Sequence, residues 1–159
     1  MTHITVNFRS SALNMPVMLD VLLPENCRDC KTLYLLHGIG GDRESWLLRS
    51  RVADYVEGKP IAVVMPSGNN KFFINNINGK VYQRFVAEEL VAKVETWFPV
   101  SCKAEERFVS GLSNGGYGCL HTALMYPEYY SKVGAFSAGD KADSDFPNDG
   151  GAKSIARIR

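Results

Sequence analysis

The sequence feature that most constrains the fold is a glycine–serine pattern at residues 111–115. Apolar residues from Phe108 onward run into this Gly-Leu-Ser-Asn-Gly stretch, and a segment with helical character follows it. The pattern is G-x-S-x-G, which is typical of a nucleophile elbow, a sharp strand-to-helix turn that exposes a serine hydroxyl. Ser113 must adopt a strained backbone there, so larger residues at the two glycines would collide with the neighbouring strand and helix.

Strands and helices alternate along the rest of the chain. We predict strands at residues 4–8, 15–23, 32–36, 61–65, 107–111 and 132–137, and helices at residues 43–57, 81–98 and 115–126. The first two strands indicate an antiparallel hairpin at a sheet edge. The alternation predicts an α/β fold with a mostly parallel sheet and helices on both faces. Ligands bind beyond the carboxyl ends of such strands, which places the loop at residues 37–41 and Ser113 on one rim.

Composition excludes several functional classes. A net charge of +1 gives no reason to expect nucleic acid or a membrane as partner. The apolar runs are too short to span a bilayer, and the N-terminus lacks the features of a signal peptide, so we expect a cytoplasmic protein of one domain. The C-x-x-C at Cys27 and Cys30 lacks a second pair with metal-ligand spacing, so we predict a surface turn with free thiols and no metal site.

An exposed serine needs a base and an oxyanion site to act as a nucleophile. The backbone N–H of Asn114, directly after the serine, is one expected oxyanion donor. A second donor can come from the glycine-rich loop after the third strand, and there we favour Ile39 over Gly40.

The base is harder to place, because in this architecture a histidine follows the serine. His121 is the only histidine after Ser113, and it lies about 12 Å further along the next helix, too far for a hydrogen bond. We expect a structural role for His37, bonded to loop backbone, and His3 lies in the edge strand. Four aspartates also follow the serine, namely Asp140, Asp143, Asp145 and Asp149. They have no role in catalysis without a histidine to orient.

Several further motifs, in order, resemble a known family. They are Leu36-His37-Gly38-Ile39-Gly40-Gly41-Asp42, Trp46, Met65-Pro66-Ser67-Gly68, residues 85–90, Phe98-Pro99 and residues 111–118. Together they resemble the tributyrin-esterase branch of the esterase D family, which includes S-formylglutathione hydrolases.

The resemblance implies an α/β-hydrolase fold that hydrolyses short-chain acyl esters or thioesters of small molecules without a metal or organic cofactor. It implies Ser113 as nucleophile and the amides of Ile39 and Asn114 as oxyanion donors. It also implies substrate contacts at Gly40 and Trp46, although helix packing explains the tryptophan equally well.

Two departures from the family pattern qualify this hypothesis. Asn114 stands where the family often has methionine, which matters little because the backbone amide does the work. The resemblance ends near residue 140, so we expect residues 1–140 to be the N-terminal part of the hydrolase core, ending after about the sixth strand, and residues 141–159 to be a tail. The acid and base would then lie outside this chain. An exposed sheet edge would favour self-association, and the alternative function is a catalytically incompetent hydrolase-like protein that acts only by binding.

Overall fold

A computed structural model of the 159-residue chain describes residues 1–69, 73–75 and 81–138. The strands are β1 (Thr2–Ser10), β2 (Met15–Leu23), β3 (Lys31–Leu36), β4 (Ile61–Pro66), β5 (Arg107–Leu112) and β6 (Lys132–Phe136). The helices are α1 (Ser45–Arg49), α2 (Val52–Val56), α3 (Tyr82–Arg84), α4 (Leu90–Trp97) and α5 (Asn114–Met125), with a π-helical segment at Phe85–Glu89 and a 3₁₀ turn at Ala104–Glu106. Within these described ranges, no helix has the length and apolarity needed to cross a membrane.

The six strands form one sheet in the order β1-β2-β4-β3-β5-β6. β1 pairs with β2, and β2 with β4, in antiparallel fashion, whereas β3, β4, β5 and β6 pair in parallel. The predicted edge hairpin and the mostly parallel sheet are therefore confirmed. The register places Leu36 beside Gly111, so β3 and β5 end at the same level and their exit loops are neighbours.

Alternate residues of the strands supply two cores, one on each face of the sheet. Tyr34 and Leu36 pack in the larger core, under α4 and α5. Leu35 points to the opposite face and packs with α2. Helices therefore cover both faces, as the sequence predicts.

The single helix predicted over residues 43–57 is wrong, because the segment forms α1 and α2 with a break between them. Ser50 lies at the break with extended backbone angles (φ −144°, ψ 175°). Its hydroxyl donates to the carbonyl of Trp46 and accepts from the N–H of Val52 at 3.2 Å. A serine side chain that bonds to nearby backbone in this way competes with continuous helix.

The predicted helix over residues 81–98 contains a π-helical insertion that the apolar spacing does not reveal. At the end of this insertion Glu89 reaches the β1–β2 turn. Its carboxylate accepts hydrogen bonds from the Ser10 hydroxyl, from the hydroxyl and N–H of Ser11, and from the N–H of Ala12, at 2.6–3.0 Å. Burial raises the pKa of Glu89, but these hydrogen bonds outweigh it and hold the pKa below its usual range.

The C-x-x-C segment corrects the prediction of free thiols in a surface turn. Cys27 and Cys30 form a disulfide with Cα atoms 5.4 Å apart, and both residues are buried. The reason is that Cys30 pairs with Val100 in an isolated parallel bridge, which carries the segment into the packed base of the sheet. Cys102 and Cys119 are free.

Candidate active site

Ser113 lies at the junction of β5 and α5 in a conformation rare for a residue with a side chain. Its backbone angles are φ 53° and ψ −114°. The Ser113 N–H donates to the carbonyl of Phe136 at 2.9 Å, and its carbonyl accepts from the N–H of Tyr117 at 2.8 Å. Both ends of the strained residue are therefore held by neighbouring elements, as an elbow requires.

The two glycines of the pattern lie where a side chain has no room. A Cβ on Gly111 would be 2.3 Å from the carbonyl carbon and oxygen of Gly115. A Cβ on Gly115 would be 2.4 Å from the carbonyl oxygen of Leu36 and 2.6 Å from that of His37. The obstacles are backbone atoms, which cannot rotate away, so the steric reason inferred from the sequence matches the geometry.

The loop that follows β3 turns sharply beside the elbow. The N–H of Gly41 donates to the carbonyl of Gly38 at 3.1 Å, and Gly40 has φ 70°, which glycine adopts at little cost. A Cβ on Gly38 would be 3.6 Å from the Cβ of Ser113, so this loop passes directly over the serine. Within the described part of the chain, neither the Ile39 nor the Asn114 amide donates a hydrogen bond.

His37 holds the start of this loop through both ring nitrogens. Its Nδ1 lies 2.7 Å from the carbonyl of Gly38, and its Nε2 accepts from the N–H of Gly68 at 2.8 Å. The pattern requires a neutral ring with its proton on Nδ1. This is the structural role that the sequence predicts, and it leaves His37 no free nitrogen with which to act as a base.

The pH dependence of stability should show this role. Burial lowers the pKa of His37, opposed in part by the hydrogen bond to Gly38. The unfolded chain therefore binds more protons below about pH 6.5, and the free energy of unfolding should fall from about pH 7 to about pH 5.5. Urea unfolding at several pH values measures this, and His37→Gln, which cannot titrate, should have a shallower slope. Equal slopes for both proteins would contradict the prediction.

A buried ion pair holds the far end of the loop, and the sequence does not predict it. Asp20 of β2 is fully buried, and its Oδ2 lies 3.4 Å from Nε of Arg43, two residues before α1. Its Oδ1 accepts from the Thr5 hydroxyl at 2.6 Å and lies 3.1 Å from Nε2 of His3. The available signal was an acidic residue inside an apolar strand, since Asp20 stands between Leu19 and Val21.

A cavity of about 150 Å³ opens between the loop and the α1 region, and Leu112, next to Ser113, forms part of its wall. Its lining includes Ile39, Trp46, Arg49 and Leu112. The Trp46 indole N–H donates to the carbonyl of Leu36 at 3.1 Å, and the residue packs at the margin of the second core. The sequence allows either helix packing or a substrate contact for Trp46. In the structure Trp46 both packs against the second core and lines the cavity.

The remaining histidine and the later aspartates do not complete a catalytic triad in the described part of the chain. His121 is buried in α5, with its ring centroid 4.6 Å from that of Tyr117 and its Nδ1 3.4 Å from Nε2 of Gln83. It is therefore engaged in helix packing two turns away from the serine. The four later aspartates lie outside the described residues.

Comparison with known proteins identifies the family. The family described as "Putative esterase" matches residues 10–142, which is most of the chain. The chain belongs to this esterase family. An acetyl esterase from Caldicellulosiruptor saccharolyticus is 32% identical over 150 residues, covering 87% of this chain and 56% of the relative.

Solved structures of similar proteins agree with the fold. A fluorophosphonate-binding serine hydrolase from Staphylococcus aureus superposes with a TM-score of 0.81 and 29% identity, over 86% of this chain and 57% of its own. An S-formylglutathione hydrolase from the same organism gives 0.81 and 28%, over 98% of this chain and 66% of its own. The predicted α/β-hydrolase fold is confirmed, and the chain is by family a serine ester hydrolase. It spans about half the length of the curated acetyl esterase that it matches.

Proposed function

We propose that this esterase-family chain carries the nucleophile and oxyanion site of a carboxylesterase for short-chain acyl esters or thioesters of small molecules. Ser113 Oγ attacks the acyl carbonyl carbon, the amides of Ile39 and Asn114 stabilise the oxyanion, and the alcohol or thiol leaves with the serine's proton. Water then releases the acid from the acyl-enzyme. The proposed reaction uses no metal or organic cofactor.

The observation that carries this proposal is the strained Ser113 with the β3 exit loop over it. The positive φ of Ser113 costs free energy, and such strain persists mainly where a function requires it. The loop passes close enough to bring its amides near the serine, because the Cβ position of Gly38 is 3.6 Å from the Ser113 Cβ. Two amides without partners in the described structure are what an oxyanion requires.

The cavity beside the elbow supports the preference for a short acyl group. A cavity of about 150 Å³ holds a molecule of about the size of benzene, which is the size of an acyl chain of a few carbons. Ser113 does not line this cavity, but the neighbouring Leu112 does. We propose that Trp46 contacts this chain and that Gly40 leaves the approach to the oxyanion site open, since a Cβ there would meet nothing within 4 Å. Assignment to the tributyrin-esterase branch of the esterase D family belongs to the same proposal, and it rests on the motifs in the sequence.

The acid and base of the triad are proposed to come from outside these 159 residues. His121 is the last histidine in the sequence and lies within helix packing. His37 uses both nitrogens for loop backbone. The competing function, binding without catalysis, draws on the same observation, since a serine without a base is a weak nucleophile.

Covalent acylation separates the two functions. We expect the chain to take one acyl group from p-nitrophenyl acetate or butyrate at Ser113, with p-nitrophenolate release about 10⁴- to 10⁶-fold slower than in a complete triad enzyme. Intact mass and peptide mapping over hours detect the adduct. Ser113→Ala should take none, whereas Ser110→Ala, three residues earlier on β5, should still be acylated.

A chain that takes no acyl group at Ser113 would contradict the esterase proposal. If no acylated protein forms and Ser113→Ala releases p-nitrophenolate as fast as the unaltered chain, the chain is catalytically incompetent and the esterase proposal fails for it. His37→Gln tests the remaining possibility that His37 is the base. A loss of about 10²-fold or more in the Ser113 acylation rate of the folded variant would indicate that His37 is the base, because general-base catalysis typically contributes about 10²–10⁴-fold. We expect a smaller loss, since His37 holds the loop that carries Ile39.

The cellular location stays a proposal as well. The sequence predicts a cytoplasmic protein, whereas a disulfide such as Cys27–Cys30 is more typical of oxidising compartments. Determining the redox state of these two cysteines by thiol alkylation of protein from cells would test the prediction.

A further inference from the structure

We propose that the Cys27–Cys30 disulfide is a site of thiol exchange, where a small-molecule thiolate enters a neighbouring cavity and attacks the sulfur of Cys30. The cavity has a volume of about 320 Å³ and lies beside the segment that connects β2 to β3. Cys30 forms part of its wall and Cys27 does not. The inference is independent of the proposed esterase activity, because Cys30 precedes β3, whereas the loop over Ser113 follows it.

The wall of this cavity belongs to a part of the chain that is described throughout. All of its residues lie between Met1 and Pro60, namely at the start of β1, in the β2–β3 connection and in the turn before β4. The N–H of Lys31 donates to the carbonyl of Pro60 at 3.1 Å, which holds two of these segments together. β1 is one edge of the sheet and β6 is the other, so the cavity is framed by strands far from the last described one.

The cavity, and not direct exposure, selects the sulfur that is attacked. Cys27 is 7% exposed and Cys30 is 3% exposed, so exposure does not distinguish the two residues. Exchange requires a thiolate to reach one of the two sulfur atoms. A cavity of about 150 Å³ holds benzene, so this larger cavity admits a thiol of a few carbon atoms and brings it to Cys30.

The charges in the wall favour an anionic nucleophile. Arg28 and Lys59 line the cavity, and neither has a carboxylate partner among the described residues. The carboxylates of Glu25 and Glu57 line it too, but they lie 3.2 Å and 3.7 Å from the amino group of Met1. The attacking species in thiol exchange is the thiolate. The two unpaired cations therefore raise the local concentration of the reactive form.

The surroundings of Cys27 suit the sulfur that leaves. In the exchange the thiolate forms a bond to Cys30 Sγ, and the Cys27–Cys30 bond breaks with its electron pair passing to Cys27 Sγ, which takes a proton from water. Cys27 Sγ lies 3.3 Å from the carbonyl oxygen of Pro99, so the new thiol donates a hydrogen bond there. The buried thiol is then not left without a partner. Attack by Cys27 on the adduct reverses the step and releases the small thiol.

Brief exposure of the folded chain to 2-mercaptoethanol, followed by trapping of free thiols with N-ethylmaleimide, tests the proposal. All samples carry Cys102→Ser, which removes the exposed free cysteine. Trypsin cleaves after Arg28 and so places Cys27 and Cys30 on separate peptides for mass spectrometry. We expect mercaptoethanol on Cys30 and maleimide on Cys27, about fivefold or more in excess of the reverse pattern, because access decides which sulfur is attacked.

Lys59→Glu tests whether the cavity is the route to Cys30. A negative charge in the wall should slow formation of the Cys30 adduct by about threefold or more at low ionic strength. The matched control is Lys132→Glu, which makes the same change in net charge at an exposed residue on the opposite edge strand, and it should leave the rate unchanged.

Four results would overturn the proposal. They are mercaptoethanol mainly on Cys27, an adduct that forms only in urea, equal rates for Lys59→Glu and Lys132→Glu, and free thiols at both positions in protein isolated in air. The first, second and fourth need neither lysine variant, so the test stays decisive if Lys59→Glu fails to fold.

Discussion

Gly115→Ala should lower the free energy of unfolding by about 3 kcal/mol or more, because the added methyl group would overlap backbone atoms. The added Cβ would be 2.4 Å from the Leu36 carbonyl oxygen and 2.6 Å from that of His37. Both are backbone atoms at the end of β3, so α5 would have to move away from the sheet. The same movement would displace Ser113 from the loop above it.

Urea unfolding of Gly115→Ala measures the loss, and Gly58→Ala is the matched control. Gly58 lies in a surface turn with φ 70°, and a Cβ there would meet nothing within 4 Å. That variant should lose only about 1–2 kcal/mol, the cost of a left-handed residue with a side chain. Gly115→Ala should also fail to take an acyl group at Ser113. A loss no greater than that of Gly58→Ala would show that the close approach to β3 is not a real constraint.

The sequence predicts the elbow so well because its demands are local. A strained serine flanked by glycines requires a strand before it and a helix after it, and all of these are adjacent in the chain. The strands follow from short apolar runs, and β2 agrees with its prediction at both ends (Met15–Leu23). The exit loop of β3 lies beside the elbow because neighbouring parallel strands end at the same edge of the sheet. The parallel topology is sufficient to predict this contact.

The features that the sequence does not predict depend on contacts between distant segments or on details of hydrogen bonding. The break at Ser50 and the π-helical segment are set by hydrogen bonds that leave the apolar spacing nearly unchanged. Glu89 resembles any helix-surface acid, yet it binds a turn 78 residues away from it in the chain. The burial of Cys27 likewise depends on the position of the segment around Val100. The spacing of apolar residues in the sequence does not predict contacts of this kind.

Arg43→Met should lower the free energy of unfolding by about 3 kcal/mol, because it leaves the buried carboxylate of Asp20 without its cationic partner. Asp20 is fully buried, and the side chain of Arg43 is only 18% exposed. The Thr5 hydroxyl supplies a hydrogen bond but no charge. The matched control is Arg51→Met, which breaks a pair with Asp54 whose side chains are 75% and 60% exposed, and it should change stability by less than about 1 kcal/mol.

A double-mutant cycle tests whether the pair acts as a unit. Asp20→Leu alone should also destabilise the protein, since it leaves Nε of the mostly buried Arg43 without a carboxylate and leaves Glu44 as the only carboxylate partner of the guanidinium among the described residues. The double variant Asp20→Leu/Arg43→Met should be more stable than either single variant, because neither charge is then left unpaired. Additive losses, with the double variant the least stable, would contradict the coupling.

The same cycle bears on the candidate active site, because Arg43 follows directly on the loop that carries Ile39. If the ion pair positions that loop, Arg43→Met should slow acylation of Ser113 even at a temperature where the variant is fully folded. The double variant should recover stability without recovering the acylation rate, since its apolar residues pack but do not fix the end of the loop through Arg43. Parallel recovery of both quantities would instead show that the pair acts through stability alone, and that the hydrogen bonds of His37 suffice to hold the loop over the serine.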